Sequence, residues 1–135
     1  MLPRFKAILQ EFQVDDHFDL IPSLPNDEIR KLQKQVQAVL LVSRYEGQSM
    51  FALESLAAGA PLILSHQTGV SGLVASDHSN GALVDPMDAL DLADAIIALC
   101  DADTAELRRA SLAHYTAYYR PQKVLRDLFD YAANL

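Results

Sequence analysis

The chain predicts an α/β fold, a parallel sheet with helices on both faces, and three observations lead there. Helical and strand-like stretches alternate along its 135 residues. The strand-like stretches are short apolar runs such as AVLLV, as in strands buried on both faces, and the connections are short and marked by Gly, Pro, Asn or Asp. Parallel neighbours need a crossover between them, and the intervening helices supply it.

Each element follows from its own local signal. Leu2, Phe5, Ile8, Leu9 and Phe12 recur at helical spacing. HFDLI, His17 to Ile21, alternates like a short strand, and PSLPN then turns the chain. Asn26 or Asp27 is placed to cap a helix reaching about Gln37. Ala38 to Val42 reads as a buried strand, followed by a helix from about Ser49 to Ala58 that stops at Gly59. Pro61 opens the strand LILS, and GALV is a last short strand after a loop rich in Gly and Ser. Asp85, Pro86 and Asp88 then introduce a helix with the stripe Leu90, Ala93, Ile96, Ile97 and Cys100. Helix continues from Glu106 to about Tyr119, and a restart at Pro121 puts Val124, Leu125, Leu128, Phe129 and Ala132 on one face. A single domain, residues 1 to 135, fits this length, with no repeats, low-complexity tract or linker.

Composition excludes several functions. A net charge of −7 leaves no Lys or Arg stripe to track nucleic-acid phosphates, and the absence of Trp weakens a base-stacking platform. Cys100 is the only cysteine, so there is neither a disulfide framework nor zinc-ligand spacing, and its apolar neighbours predict a buried thiol. There is no signal-peptide layout and no apolar run of the roughly 20 residues that span a bilayer. The expected location is cytoplasmic. Asp15-Asp16 precedes its apolar stretch, whereas single-domain receivers of signalling systems place an acidic pair after a buried strand, so that reading is disfavoured.

In a parallel sheet, ligands bind beyond the carboxyl ends of the strands. SRYEGQS lies there, with Gly47 at the turn and unpaired helix amides near Ser49 and Met50, an arrangement suited to a diphosphate. Glu46 at the rim disfavours a phosphate beside it and suits a neutral hydroxyl. From Gly47 to Ser76 the only Asp, Glu, Lys or Arg is Glu54, set among Met50, Phe51, Ala57 and Ala58. A carboxylate in an apolar helix must reach solvent or be hydrogen-bonded. His66, at the end of LILS, is the one histidine placed to approach a ligand; His17, His78 and His114 read as strand, loop and helix-face residues.

The stretch SRYEGQSMFALESLAAGAPLILS resembles the family 4, or group 1, retaining glycosyltransferases of the GT-B fold. Their signature is a strand, P-S-x-x-E-G-F-G, and a helix carrying a second Glu eight positions after the first; here the pair is Glu46 and Glu54. The likeness extends through Asn80-Gly81 and Asp85-Pro86, and back to IPSLPNDEIRKLQKQVQAVLLVSR. It implies a Rossmann-like sheet and a nucleotide-sugar donor held without a metal or other cofactor. Glu46 would bind the donor sugar and assist catalysis, Glu54 would accept from ribose hydroxyls, and amides from Gly47 through Gln48 and Ser49 to Met50 would face the sugar and diphosphate. Pro22, Ser23 and Leu24 would line the nucleobase.

Two departures are local. Gln48-Ser49 stands for the F-G of the signature, and Thr68-Gly69-Val70-Ser71-Gly72 stands where the family often has G-G-x-P-E. A third is larger: relative to that family the chain lacks the first two strands of the donor domain, the basic residues after the first of them, and the acceptor-binding domain. The resemblance therefore implies a partial donor domain with poor turnover alone, completed by an N-terminal segment or partner, or self-associated through the sheet edge at Ala38 to Val42. A non-catalytic nucleotide-sugar binder is the alternative, and the acceptor is left open.

Overall fold

A computed structural model describes residues 2–133. In chain order the elements are α1 (Leu2–Glu11), α2 (Asn26–Gln33), β1 (Val39–Leu41), α3 (Met50–Ala57), β2 (Leu62–Ser65), β3 (Gly81–Val84), α4 (Ala89–Asp101), α5 (Thr104–Tyr118) and α6 (Pro121–Ala133). Short 3₁₀ turns occupy Asp15–His17 and Ser71–Leu73.

The three strands form a parallel sheet in the order β1-β2-β3. Val39 is opposite Leu62, and Leu62 is in turn opposite Gly81. All four residues of β2 are buried, so its side chains supply both faces of the sheet. Leu62 and Leu64 pack with Val39, Ala52, Leu56, Val70, Leu73 and Val74 on one face. Ile63 packs with Val84, Leu99 and Leu107 on the other. Burying each of these large aliphatic side chains contributes roughly 1.5–3 kcal/mol, which explains why the shortest apolar runs organise the fold.

Helix ends are set by local chemistry. The Asp88 carboxylate accepts from the amides of Leu90 and Asp91 at the start of α4, and Asp103 accepts from Ala105 at the start of α5. Gly59 adopts φ +77°, the left-handed conformation that closes α3 before Pro61 leads into β2. Arg108, on α5, donates to the carbonyls of Val36, Gln33 and Ala58, satisfying acceptors at the ends of α2 and α3.

Three sequence expectations are corrected. His17 to Ile21 is not a strand: its first residue closes a 3₁₀ turn and the rest is irregular and mostly exposed. Extended alternation needs a neighbouring strand to satisfy its backbone, and among the described residues β1, β2 and β3 are the whole sheet. Asn26 is the first residue of α2 rather than a side-chain cap, and the helix ends at Gln33. On α4 the face turned inward is Leu92, Ala95 and Leu99, while Leu90, Ile97 and Cys100 are exposed. Cys100 lies one residue, about 100° of helix rotation, beyond Leu99, which places its thiol outside the core. The apolar stripe of α6 forms as expected, and Val124, Leu125, Leu128 and Phe129 on it are all exposed.

No helix among the described residues is long and apolar enough to cross a membrane.

Candidate functional site

The site is built where the chain leaves β1. The Ser43 amide donates to Oγ of Ser65, the buried last residue of β2, at 2.8 Å, tying the two strand ends together. The Ser43 hydroxyl donates to the Tyr45 carbonyl and so tightens the turn. The loop after β2 then docks against this turn: the Gly69 amide donates to the Glu46 carbonyl at 2.9 Å. A Cβ on Gly69 would stand 2.2 Å from the Gly47 carbonyl oxygen, so only glycine permits this approach.

Ser49 is the N-cap of α3, its hydroxyl accepting from the Ala52 amide at 3.3 Å. That bond satisfies one of the free amides of the first turn. Those of Met50 and Phe51 have no acceptor among the described residues and carry the positive end of the helix dipole. Met50 is exposed, as are Gly47 and Gln48. Glu46 is half-buried at the turn.

Glu54 is exposed. The helix turns Ala52, Ser55 and Leu56 inward and leaves the carboxylate on its outer side, so the charge in an apolar sequence reaches solvent. The apolar neighbours are divided between faces: Ala57 and Ala58 are half-buried, while Met50 and Phe51 are exposed like Glu54 itself.

A cavity of about 220 Å³ lies behind the turn, walled by Gln48, Ser49, Met50 and Leu53 from one side, the 69–73 loop from another, and Tyr119. Neither Glu46 nor Glu54 lines it, and neither do Pro22, Ser23 and Leu24. Those three lie in the irregular segment before α2, with Pro22 and Ser23 exposed and Leu24 half-buried. His66 is exposed at the end of β2.

Sequence reasoning missed the far wall. Tyr119 Oη donates to the Gly72 carbonyl at 2.7 Å, and His114 Nε2 contacts the same oxygen at 3.0 Å. A carbonyl only accepts, so Nε2 carries the proton in this arrangement. The rings of His114, Tyr118 and Tyr119 cluster with centroids 5.0 to 6.5 Å apart. Burial pushes the Tyr119 phenol above its ordinary pKa of 10.0. Asp77, in the loop beyond, is held below the ordinary carboxyl value chiefly by hydrogen bonds from Ser79. No group of three or more His, Cys, Asp or Glu side chains is arranged to hold a metal among the described residues.

A family model described as glycosyl transferases group 1 matches residues 2–116. The chain belongs to the group 1 glycosyltransferases.

Among relatives of this glycosyltransferase chain, D-inositol 3-phosphate glycosyltransferase of Acidothermus cellulolyticus is 30% identical over 117 residues, covering 86% of this chain and 26% of that protein. The putative colanic acid biosynthesis glycosyltransferase WcaL of Escherichia coli is 28% identical over 110 residues, covering 77% of this chain and 27% of its own. The chain thus spans about a quarter of the length of these relatives. Sucrose-phosphate synthase from Thermosynechococcus elongatus superposes with a TM-score of 0.79 at 22% identity, over 98% of this chain and 33% of its own. That likeness confirms the Rossmann-like α/β fold of the glycosyltransferase chain.

Proposed function

We propose that this group 1 glycosyltransferase chain is the distal part of a family 4 donor domain that binds a nucleotide-sugar for glycosyl transfer with retention. The observation that carries the reading is the turn from Glu46 to Ser49, docked by Gly69 and leading into a helix with free first-turn amides and an exposed Glu54. Free amides and a helix N-terminus suit the diphosphate. In this reading Glu46 contacts the donor sugar, Glu54 accepts from the ribose hydroxyls, the backbone of Gly47 to Met50 faces sugar and diphosphate, and Pro22 to Leu24 flank the base.

Catalysis in this scheme needs no metal, because preorganised donors stabilise charge on the departing phosphate oxygen. Losing one such donor typically slows a reaction by about 10²- to 10³-fold. Since the chain covers about a quarter of its relatives, turnover and acceptor binding are assigned to a further segment or partner. A cytoplasmic location is part of the same proposal. The departures at Gln48, Ser49 and Gly72 favour a second reading, a nucleotide-sugar-binding subunit without catalysis of its own.

Calorimetry with UDP, GDP and their sugars tests the proposal. Saturable binding that is abolished in Glu54→Ala, with folding intact by circular dichroism, is the expected result. A well-folded chain that binds none of them overturns it. Sugar transfer restored by adding a relative's N-terminal segment would then separate the enzyme from the non-catalytic subunit.

A further inference from the structure

The Glu46 to Ser49 turn has little fixing it from its own side. A Cβ on Gly47 would meet nothing within 4 Å and Gln48 is exposed; between the Ser43 bonds before it and the Ser49 cap after it, the turn is held by the Gly69 amide on the Glu46 carbonyl and by the close approach of Gly69 to Gly47. Whatever fixes Gly69 therefore fixes the turn. Gly69 is followed in its loop by Val70, buried in the core beside Leu73, and by Gly72, which is gripped from outside by two side chains at the end of α5. Tyr119 Oη and His114 Nε2, five residues apart in the chain, both reach its carbonyl. A Cβ on Gly72 would meet Tyr119 Oη at 3.4 Å, so the hydroxyl occupies the space into which a side chain at this position would extend. The Thr68 hydroxyl bonds the Ser65 carbonyl at the other end of the same loop. The loop is thus held at 65 to 68 by β2, at Val70 and Leu73 by the core, and at the Gly72 carbonyl by α5.

We propose that Tyr119 and His114 are positioning residues for the turn at Glu46: by holding the Gly72 carbonyl from α5, they set the loop that fixes Glu46 and the amides of Gly47 to Met50. Tyr119 also walls the cavity behind Gln48 and Ser49, so its ring and its hydroxyl act on the same structure. The consequence for donor affinity rests on the function proposed above; the mechanical coupling does not.

The test is amide hydrogen exchange, resolved by residue, on the full chain and on Tyr119→Phe, His114→Ala and His114→Gln. Tyr119→Phe keeps the ring packing and removes only the donor. Exchange at the Gly69 amide is expected to rise about three- to tenfold in Tyr119→Phe and in His114→Ala, the effect of losing one net hydrogen bond. Amides of β3 and α4 are expected to keep their rates, and His114→Gln, which retains an amide donor, is expected to recover most of the protection. Unchanged exchange at Gly69, or an equal rise in every element, overturns the proposal. Where the wild-type chain binds a nucleotide-sugar, affinity in Tyr119→Phe is expected to fall about tenfold; unchanged affinity alongside faster Gly69 exchange would remove the link to the donor site. A wild-type chain that binds no nucleotide refutes the proposed function and leaves the exchange result to decide the coupling.

Discussion

Gly69 and Gly47 meet backbone to backbone: a Cβ on the first would sit 2.2 Å from the carbonyl oxygen of the second. The loops that follow β1 and β2 are therefore one structure, and the contact is a point where a single methyl group separates them. Gly69→Ala is expected to cost about 1–3 kcal/mol, the range for forcing an extra group into a packed site, and to abolish nucleotide-sugar binding. Denaturant unfolding and calorimetry measure the two effects. A variant as stable as the parent would show that the loops separate without penalty.

Among the described residues, Arg108 is the only side chain that bonds the ends of both α2 and α3, reaching Val36 at 2.9 Å and Gln33 at 3.1 Å at the first and Ala58 at 3.5 Å at the second. Lysine has the charge but not the planar fork. Arg108→Lys is expected to lose about 1–3 kcal/mol, read as a shift in the denaturation midpoint. Equal stability would mean that solvent replaces the guanidinium at those carbonyls.

Asn80 is fully buried, accepting from the Ala75 amide at 2.7 Å and donating to the Leu73 carbonyl at 2.9 Å. The pair of bonds fixes the chain where it enters β3. Asn80→Ala is expected to destabilise by about 2–3 kcal/mol, since both backbone partners lose their bond near the core. Urea unfolding of the variant checks this, and a change below about 0.5 kcal/mol, the level of ordinary surface substitutions, would contradict it.

Tyr119 supplies a pH dependence of definite sign. Its folded pKa is raised above 10.0 by burial. Below pH 10 the phenol is protonated in both the folded and unfolded chain, and its bond to Gly72 contributes in full. As pH rises past 10 the unfolded chain ionises first, and stability falls until the folded pKa is passed. The stability advantage of the wild type over Tyr119→Phe is therefore expected to narrow above pH 10. Parallel denaturation curves of both proteins from pH 8 to 11 measure it, and an advantage that widens would show the opposite shift.

The strands that the sequence defines best are those whose environment is uniform. LILS and GALV coincide with β2 and β3, short apolar runs bounded by Pro61 and by the loop rich in Gly and Ser, and Gly59 marks the end of α3 because the backbone turns left-handed there. His17 to Ile21 has the same local alternation without a strand beside it, and a strand is a property of a pair. On α4, Leu90, Ile96 and Ile97 are as apolar as Leu92 and Leu99, so periodicity does not reveal which side meets the sheet. At the candidate site, the strand-to-helix turn is legible, because a short apolar run is followed by Gly47 and the capping Ser49. Tyr119 and His114 are not, because their role arises from a loop 42 to 47 positions earlier in the chain.

Ile63 and Leu64 are neighbours in sequence whose side chains belong to different cores, one with Leu99 and Leu107, the other with Leu56 and Leu73. A single strand thus makes the two faces thermodynamically one: neither core can be released without disturbing the backbone that the other depends on. Truncations at the two residues should report a common cooperative transition even though they share no side-chain partner, and their costs should depart from simple addition.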